Sequence, residues 1–130
     1  MEIKLTKEES KEFFYNSLCN GLEYFDMVCE LSIQYHKDEY RNAKALLEKE
    51  KPNNAVCFED VLMRILEDGG SLFVRDSDAD ADFVVKMEQV LERVEKSPTL
   101  DLWAMAQEQD DASTALNILQ TVFFEDIVYG

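Results

Sequence analysis

The chain has 130 residues, and its 13 basic against 28 acidic side chains give a formal net charge of -15. That length fits one domain with a core of its own, and a hydrophobic fraction of 46% excludes intrinsic disorder. The charge excludes a protein that grips nucleic acid or an anionic membrane with its own surface, because both need Lys and Arg on the contacting face.

Export and spanning signals are not expected. Met1-Glu2-Ile3-Lys4-Leu5 carries charge at once, with no apolar h-region behind it. Cys19, Cys29 and Cys57 are odd in number and widely spaced, so neither a disulfide framework nor a zinc knuckle is written here. The expected compartment is a reducing cytoplasm.

Residues 2–5 alternate, with Ile3 and Leu5 on one face, and predict a short first strand. Thr6-Lys7-Glu8-Glu9 fits a capping box. Phe14, Leu18 and Leu22 then recur at helical spacing, which predicts a helix from about Lys7 to Asn20 with Gly21 at its left-handed end. Phe25, Met27, Cys29, Leu31, Ile33 and Tyr35 alternate with mainly polar residues and predict a half-buried strand over 25–36. Asp38 is positioned to cap a helix carrying Tyr40, Ala43 and Leu47, which Pro52-Asn53-Asn54 ends.

Phe58, Val61, Leu62, Ile65 and Leu66 share one side of the next helix, closed by Gly69-Gly70. Residues 71–75 and 83–85 are short runs of strand formers and predict a hairpin across Asp76 to Asp82. A helix from about Met87 to Lys96 follows, although the spacing of Phe83, Met87, Val90, Leu91 and Val94 also allows one long helix over 82–96. Ser97-Pro98 opens a helix carrying Leu102, Trp103 and Ala106. Asp110-Asp111 caps a last helix bearing Ala115, Leu116, Leu119, Val122 and Phe123. The fold class is α+β: a single domain with a small, mostly antiparallel sheet of three or four strands and about five helices.

The run Cys57-Phe58-Glu59-Asp60-Val61-Leu62, then Ile65-Leu66-Glu67-Asp68-Gly69-Gly70, then a hairpin-like stretch into Val90-Leu91-Glu92-Arg93-Val94, resembles small proteins carried by bacteriophages and bacterial mobile elements. The similarity reaches Glu108-Gln109-Asp110-Asp111 and the helix after it. It implies an accessory role near phage or host machinery and brings no catalytic motif with it.

Among chemical constellations, the alternating Asp76, Asp78, Asp80 and Asp82 is the candidate metal site, as the opening of a calcium loop. Counted from Asp76, Ala81 stands where glycine is needed and Met87 where the closing glutamate belongs, so a solvated hairpin is preferred. Within one strand over 25–36, Cys29 and the single histidine, His36, point to opposite faces and form no nucleophile–base pair. Cys57 sits at a helix head, where the dipole favours a thiolate. No cofactor motif is present, and an enzyme is the weaker class.

Charge is the most usable functional signal. Residues 55–130 hold 17 acids and 5 bases, and the 34 residues from Ser97 hold no Lys or Arg at all. Such a surface speeds association with a basic partner. The candidate partner-binding residues are Asp101, Glu108, Asp110, Asp111, Phe124 and Tyr129. Trp103 reads as core in preference to a surface contact, whereas Phe124, Val128 and Tyr129 stay open, with a homodimer as one use for them. The expected function is a non-enzymatic accessory or regulatory protein acting through protein–protein contact. The alternatives are a DNA-mimic inhibitor, a small carboxylate enzyme and a calcium-binding module.

Overall fold

The structure is a computed structural model and describes residues 3–129. It holds six helices and one three-stranded antiparallel sheet, an α+β fold. Helix α1 (Lys7–Cys29) starts at the expected capping box, where the Thr6 hydroxyl accepts the Glu9 N–H at 3.1 Å and Glu9 accepts the Thr6 N–H at 2.9 Å. It does not stop at Gly21. Phe14, Leu18, Gly21, Phe25 and Cys29 form one buried stripe at helical spacing, and the left-handed terminal residue is Glu30 at φ 56°.

The long strand expected over 25–36 is therefore corrected to the last turns of α1 plus a three-residue strand, β1 (Ile33–Tyr35). Phe25 and Cys29 satisfy a period of four as well as a period of two. Met27, which a strand would bury beside them, is 68% exposed. The strand expected at residues 2–5 does not form over 3–5, and Glu2 lies outside the described residues.

Helix α2 (Lys37–Glu50) and helix α3 (Phe58–Glu67) pack on each other. Both end where expected, since Pro52 and Gly69 follow them. The expected Asp38 cap of α2 is corrected: His36 is the cap, and Asp38 lies in the first turn, where the helix dipole favours its charge. Strands β2 (Leu72–Asp76) and β3 (Ala81–Val85) make the expected hairpin, with Val74 opposite Phe83; β1 pairs on the other side of β2, with Ile33 opposite Val74. Both pairings are antiparallel, so the sheet order is β1-β2-β3. Residues 82–96 divide into strand and helix, with α4 spanning Met87–Val94.

Helix α5 (Thr99–Ala106) begins one residue beyond the expected start, because Pro98 is the cap and its carbonyl accepts the Leu102 N–H at 3.1 Å. Helix α6 (Ala112–Phe124) is the centre of the molecule. Its residues from Thr114 to Phe123, Asn117 excepted, are buried, and it packs against α1, α4, α5 and β3. A helix buried on nearly every side needs few charges, which accounts for the absence of Lys and Arg along it.

Candidate functional site

The predicted partner-binding residues gather at two places: the corner between α5 and α6, and the aromatic end of α6. At the corner, α5 ends through Glu108, left-handed at φ 57°, and the Gln109 N–H donates to the Ala104 carbonyl at 2.7 Å. Asp110 then accepts a hydrogen bond from the Asn20 side chain of α1 at 2.7 Å. Asp111 caps α6, accepting the Thr114 N–H at 2.9 Å and the Thr114 hydroxyl at 3.1 Å. Asp101 accepts from the Asn117 amide at 3.1 Å.

The carboxylates differ in their electrostatics. The backbone and hydroxyl of Thr114 hold the Asp111 carboxyl below the ordinary aspartate range. Burial pushes Asp101 up, the Asn117 amide opposes the shift, and the nearby charge of Asp111 adds to it. Three of the acids, Asp101, Asp110 and Asp111, thus hold structure as well as charge. Glu108, which is exposed, is the one of the four that makes no side-chain hydrogen bond or ion pair among the described residues.

Trp103 is not a core residue. It is 54% exposed and Leu100, one turn before it, is 83% exposed, while Leu102 and Met105 carry the buried side of α5. This corrects the core reading of Trp103. The residues of α5 are apolar in nearly every direction, and a helix at the surface has only one side to bury, so the remaining apolar side chains face out. That pattern was the available signal for Leu100, which spacing alone passes over. Beside Trp103 runs a groove of about 200 Å3, lined by Ile3, Leu5, Phe13, Leu102 and Ala106, with Lys4 and Glu9 at its margin. The Leu5 N–H donates to Glu95 at 3.1 Å, which fixes the segment before α1 in place as one wall.

The aromatic end of α6 is turned inward. Phe124 stacks on Phe25 at 6.0 Å between ring centroids and meets Phe83 edge-on at 4.8 Å and Tyr129 at 6.2 Å. Gln120, fully buried, binds the last described residues: its amide donates to the Tyr129 carbonyl at 2.8 Å and accepts the N–H groups of Val128 and Tyr129 at 2.9 and 2.7 Å. Sequence reasoning missed Gln120, since a lone glutamine on an apolar helix announces no partner.

The aspartate run does its work within the hairpin. Asp76 accepts the N–H groups of Asp78 and Ala79 at 3.1 and 3.2 Å, and the Arg75 guanidinium binds Asp80 at 2.6 Å and Asp82 at 3.1 Å. Among the described residues no group of three or more His, Cys, Asp and Glu side chains is arranged to hold a metal ion. No described helix is long and apolar enough to cross a membrane.

The thiols lie apart from His36, which stands at the cap of α2 with its ring 5.2 Å from Phe73. Burial pushes the Cys29 thiol up to about 11. Cys57 caps α3, but partial desolvation outweighs the Asp60 N–H that favours its thiolate, and its pKa is raised as well. Tyr15 reaches across to Asp60 at 2.7 Å; that hydrogen bond, with burial, raises the phenol far above its ordinary value. Groups whose acidity is suppressed in this way are poorly activated as nucleophiles near neutral pH. A groove of about 450 Å3 runs beside β1 and is lined in part by Leu22, Asp26, Tyr35, Lys37 and Phe58.

The chain is therefore a small α+β fold whose α5–α6 corner is acidic and exposes Leu100 and Trp103 on α5. No family model, curated protein or solved structure matches the chain.

Proposed function

We propose that this protein is a non-enzymatic accessory module that binds a basic protein partner through the α5–α6 corner. The observation that carries the reading is the pairing of Leu100 and Trp103, both exposed on α5, with a stretch of 34 residues that contains no Lys or Arg. An exposed tryptophan beside an apolar groove is the kind of residue that anchors interfaces, and the carboxylates of the corner select a cationic partner and hasten encounter. Arg64, Arg75 and Arg93 in the same half of the chain are each paired with acids, so they do not neutralise this corner. The resemblance to small phage and mobile-element proteins fits an accessory role of this kind.

The test is affinity capture from a lysate of the native host, using wild-type and Trp103→Ala baits at low and raised salt. The expected result is a partner with a basic surface, held at low salt, released at roughly 0.5 M salt where charge attraction is screened, and lost with the Trp103→Ala bait. Capture indifferent to both salt and Trp103 overturns the reading.

A further inference from the structure

We infer that the groove between α5 and the segment before α1 receives one apolar side chain of a cationic amphipathic segment on the partner; this rests on the proposed reading of the α5–α6 corner as a partner-binding face. The groove is apolar along Ile3, Leu5, Phe13 and Leu102, and its volume of about 200 Å3 suits a single large aliphatic or aromatic side chain, not an extended ligand. Trp103 lines the groove while staying more than half exposed, so it would shield an inserted anchor from water, which is how interface anchors come to dominate binding energy. Leu100 is exposed one turn earlier on α5.

Charge decides what kind of chain carries that anchor. A second copy of this protein would bring another net charge of -15 to the same face, and the two would repel. The α5–α6 corner carries Asp101, Glu108, Asp110 and Asp111, and the sequence from Ser97 onward contains no Lys or Arg. The groove's lining also includes Lys4 and Glu9, and the Glu9 carboxylate is held by the Thr6 N–H. Lys4 opposes a cationic occupant at the groove, and it makes the inference testable by improvement as well as by loss.

The experiment uses three synthetic probes: a peptide with leucines at helical spacing and lysines elsewhere, its counterpart with glutamate for lysine, and oligolysine. Binding is followed by calorimetry and, since Trp103 is the single tryptophan, by its emission. The leucine–lysine peptide is expected to bind about tenfold or more tighter than either control and to shift Trp103 emission to the blue, a preference of the size one buried anchor confers. Trp103→Ala and Leu100→Ser should each weaken it while lowering Tm by no more than a few degrees. Lys4→Glu should strengthen it more than Arg41→Glu, a same-sign change on α2. Oligolysine binding as tightly, with emission unmoved, overturns the groove and leaves the acidic partner-binding reading standing. Equal binding of the glutamate peptide overturns the cationic occupant. A dimer that dissociates on Trp103→Ala shows that the face belongs to a second copy. If none of the probes binds at low salt, the groove and the reading beneath it both fall.

Discussion

A Cβ added to Gly21 would lie 2.6 Å from the Cβ of Ala115 and 3.3 Å from its carbonyl carbon. Gly21 is thus a point of close approach between α1 and α6, and the small residues on both sides are what let these two helices touch there. Gly21→Ala gains about 1 kcal/mol of helix propensity but forces two central helices apart, at a cost of about 1–3 kcal/mol for overpacking. The expected net result is destabilisation in urea unfolding. Adding Ala115→Gly should recover part of it, because the second change reopens the space. If Gly21→Ala raises stability, the close approach is wrong.

Gln120 supplies the second prediction. Its side chain is buried and its three hydrogen bonds hold residues 128 and 129 against α6. Gln120→Leu keeps the volume but leaves those backbone groups without their partner, at a cost of about 1–3 kcal/mol. Amide exchange at Val128 and Tyr129 should quicken while the amides of Phe14 and Leu18 stay protected. Unchanged exchange at both ends of the chain would show that Gln120 does not hold this segment.

Trp103 gives the third. Because it is more than half exposed, its emission should already be red-shifted in the native state and move little on unfolding. Trp103→Ala should cost less than ~1 kcal/mol, as surface positions do, against about 3–5 kcal/mol for a core tryptophan. A loss in the core range, with a blue native emission, would place the ring inside the fold.

These three residues also mark how far the sequence was legible. The α+β class, α2, α3, the hairpin and the Asp111 cap followed from local signals: capping side chains, Pro and Gly stops, and short runs of β-branched residues. Gly21 was misleading because a helix-ending glycine and a close-contact glycine look alike until the opposing helix is known. Phe25 and Cys29 satisfy both periods, and only the exposure of Met27 decides between them. The acids of the candidate site were legible as charge, but not as structure: that Asp110 holds Asn20 depends on which helix lies alongside. Leu100 and the groove beside Trp103 are tertiary facts, made by the segment before α1 crossing α5.

The last prediction separates the structural from the recognition role of the corner. The Asp111 carboxyl is held below its ordinary pKa by the Thr114 N–H and hydroxyl. Its contribution to stability is therefore fully present above the unfolded value of about 3.9, and it is lost as pH falls through the lower folded value. Asp111→Ala should reduce Tm by a few degrees at neutral pH, as cap removal does, and the gap from wild type should close in strong acid. Asp101 runs the other way. Burial raises its pKa, so ionisation opposes folding; Asp101→Asn should leave Tm equal or higher at neutral pH, and any advantage should fade as pH falls through the raised folded value and vanish below the unfolded one. Glu108 has neither duty. Glu108→Lys should leave Tm within a degree or so of wild type, since it breaks no contact, yet weaken a salt-sensitive partner by reversing one charge on the binding face. Melting curves across pH and partner affinity on the same three variants check all of this together. If Glu108→Lys shifts neither affinity nor its salt dependence while Asp111→Ala lowers Tm as expected, the corner's acids serve the fold alone and the partner does not touch it.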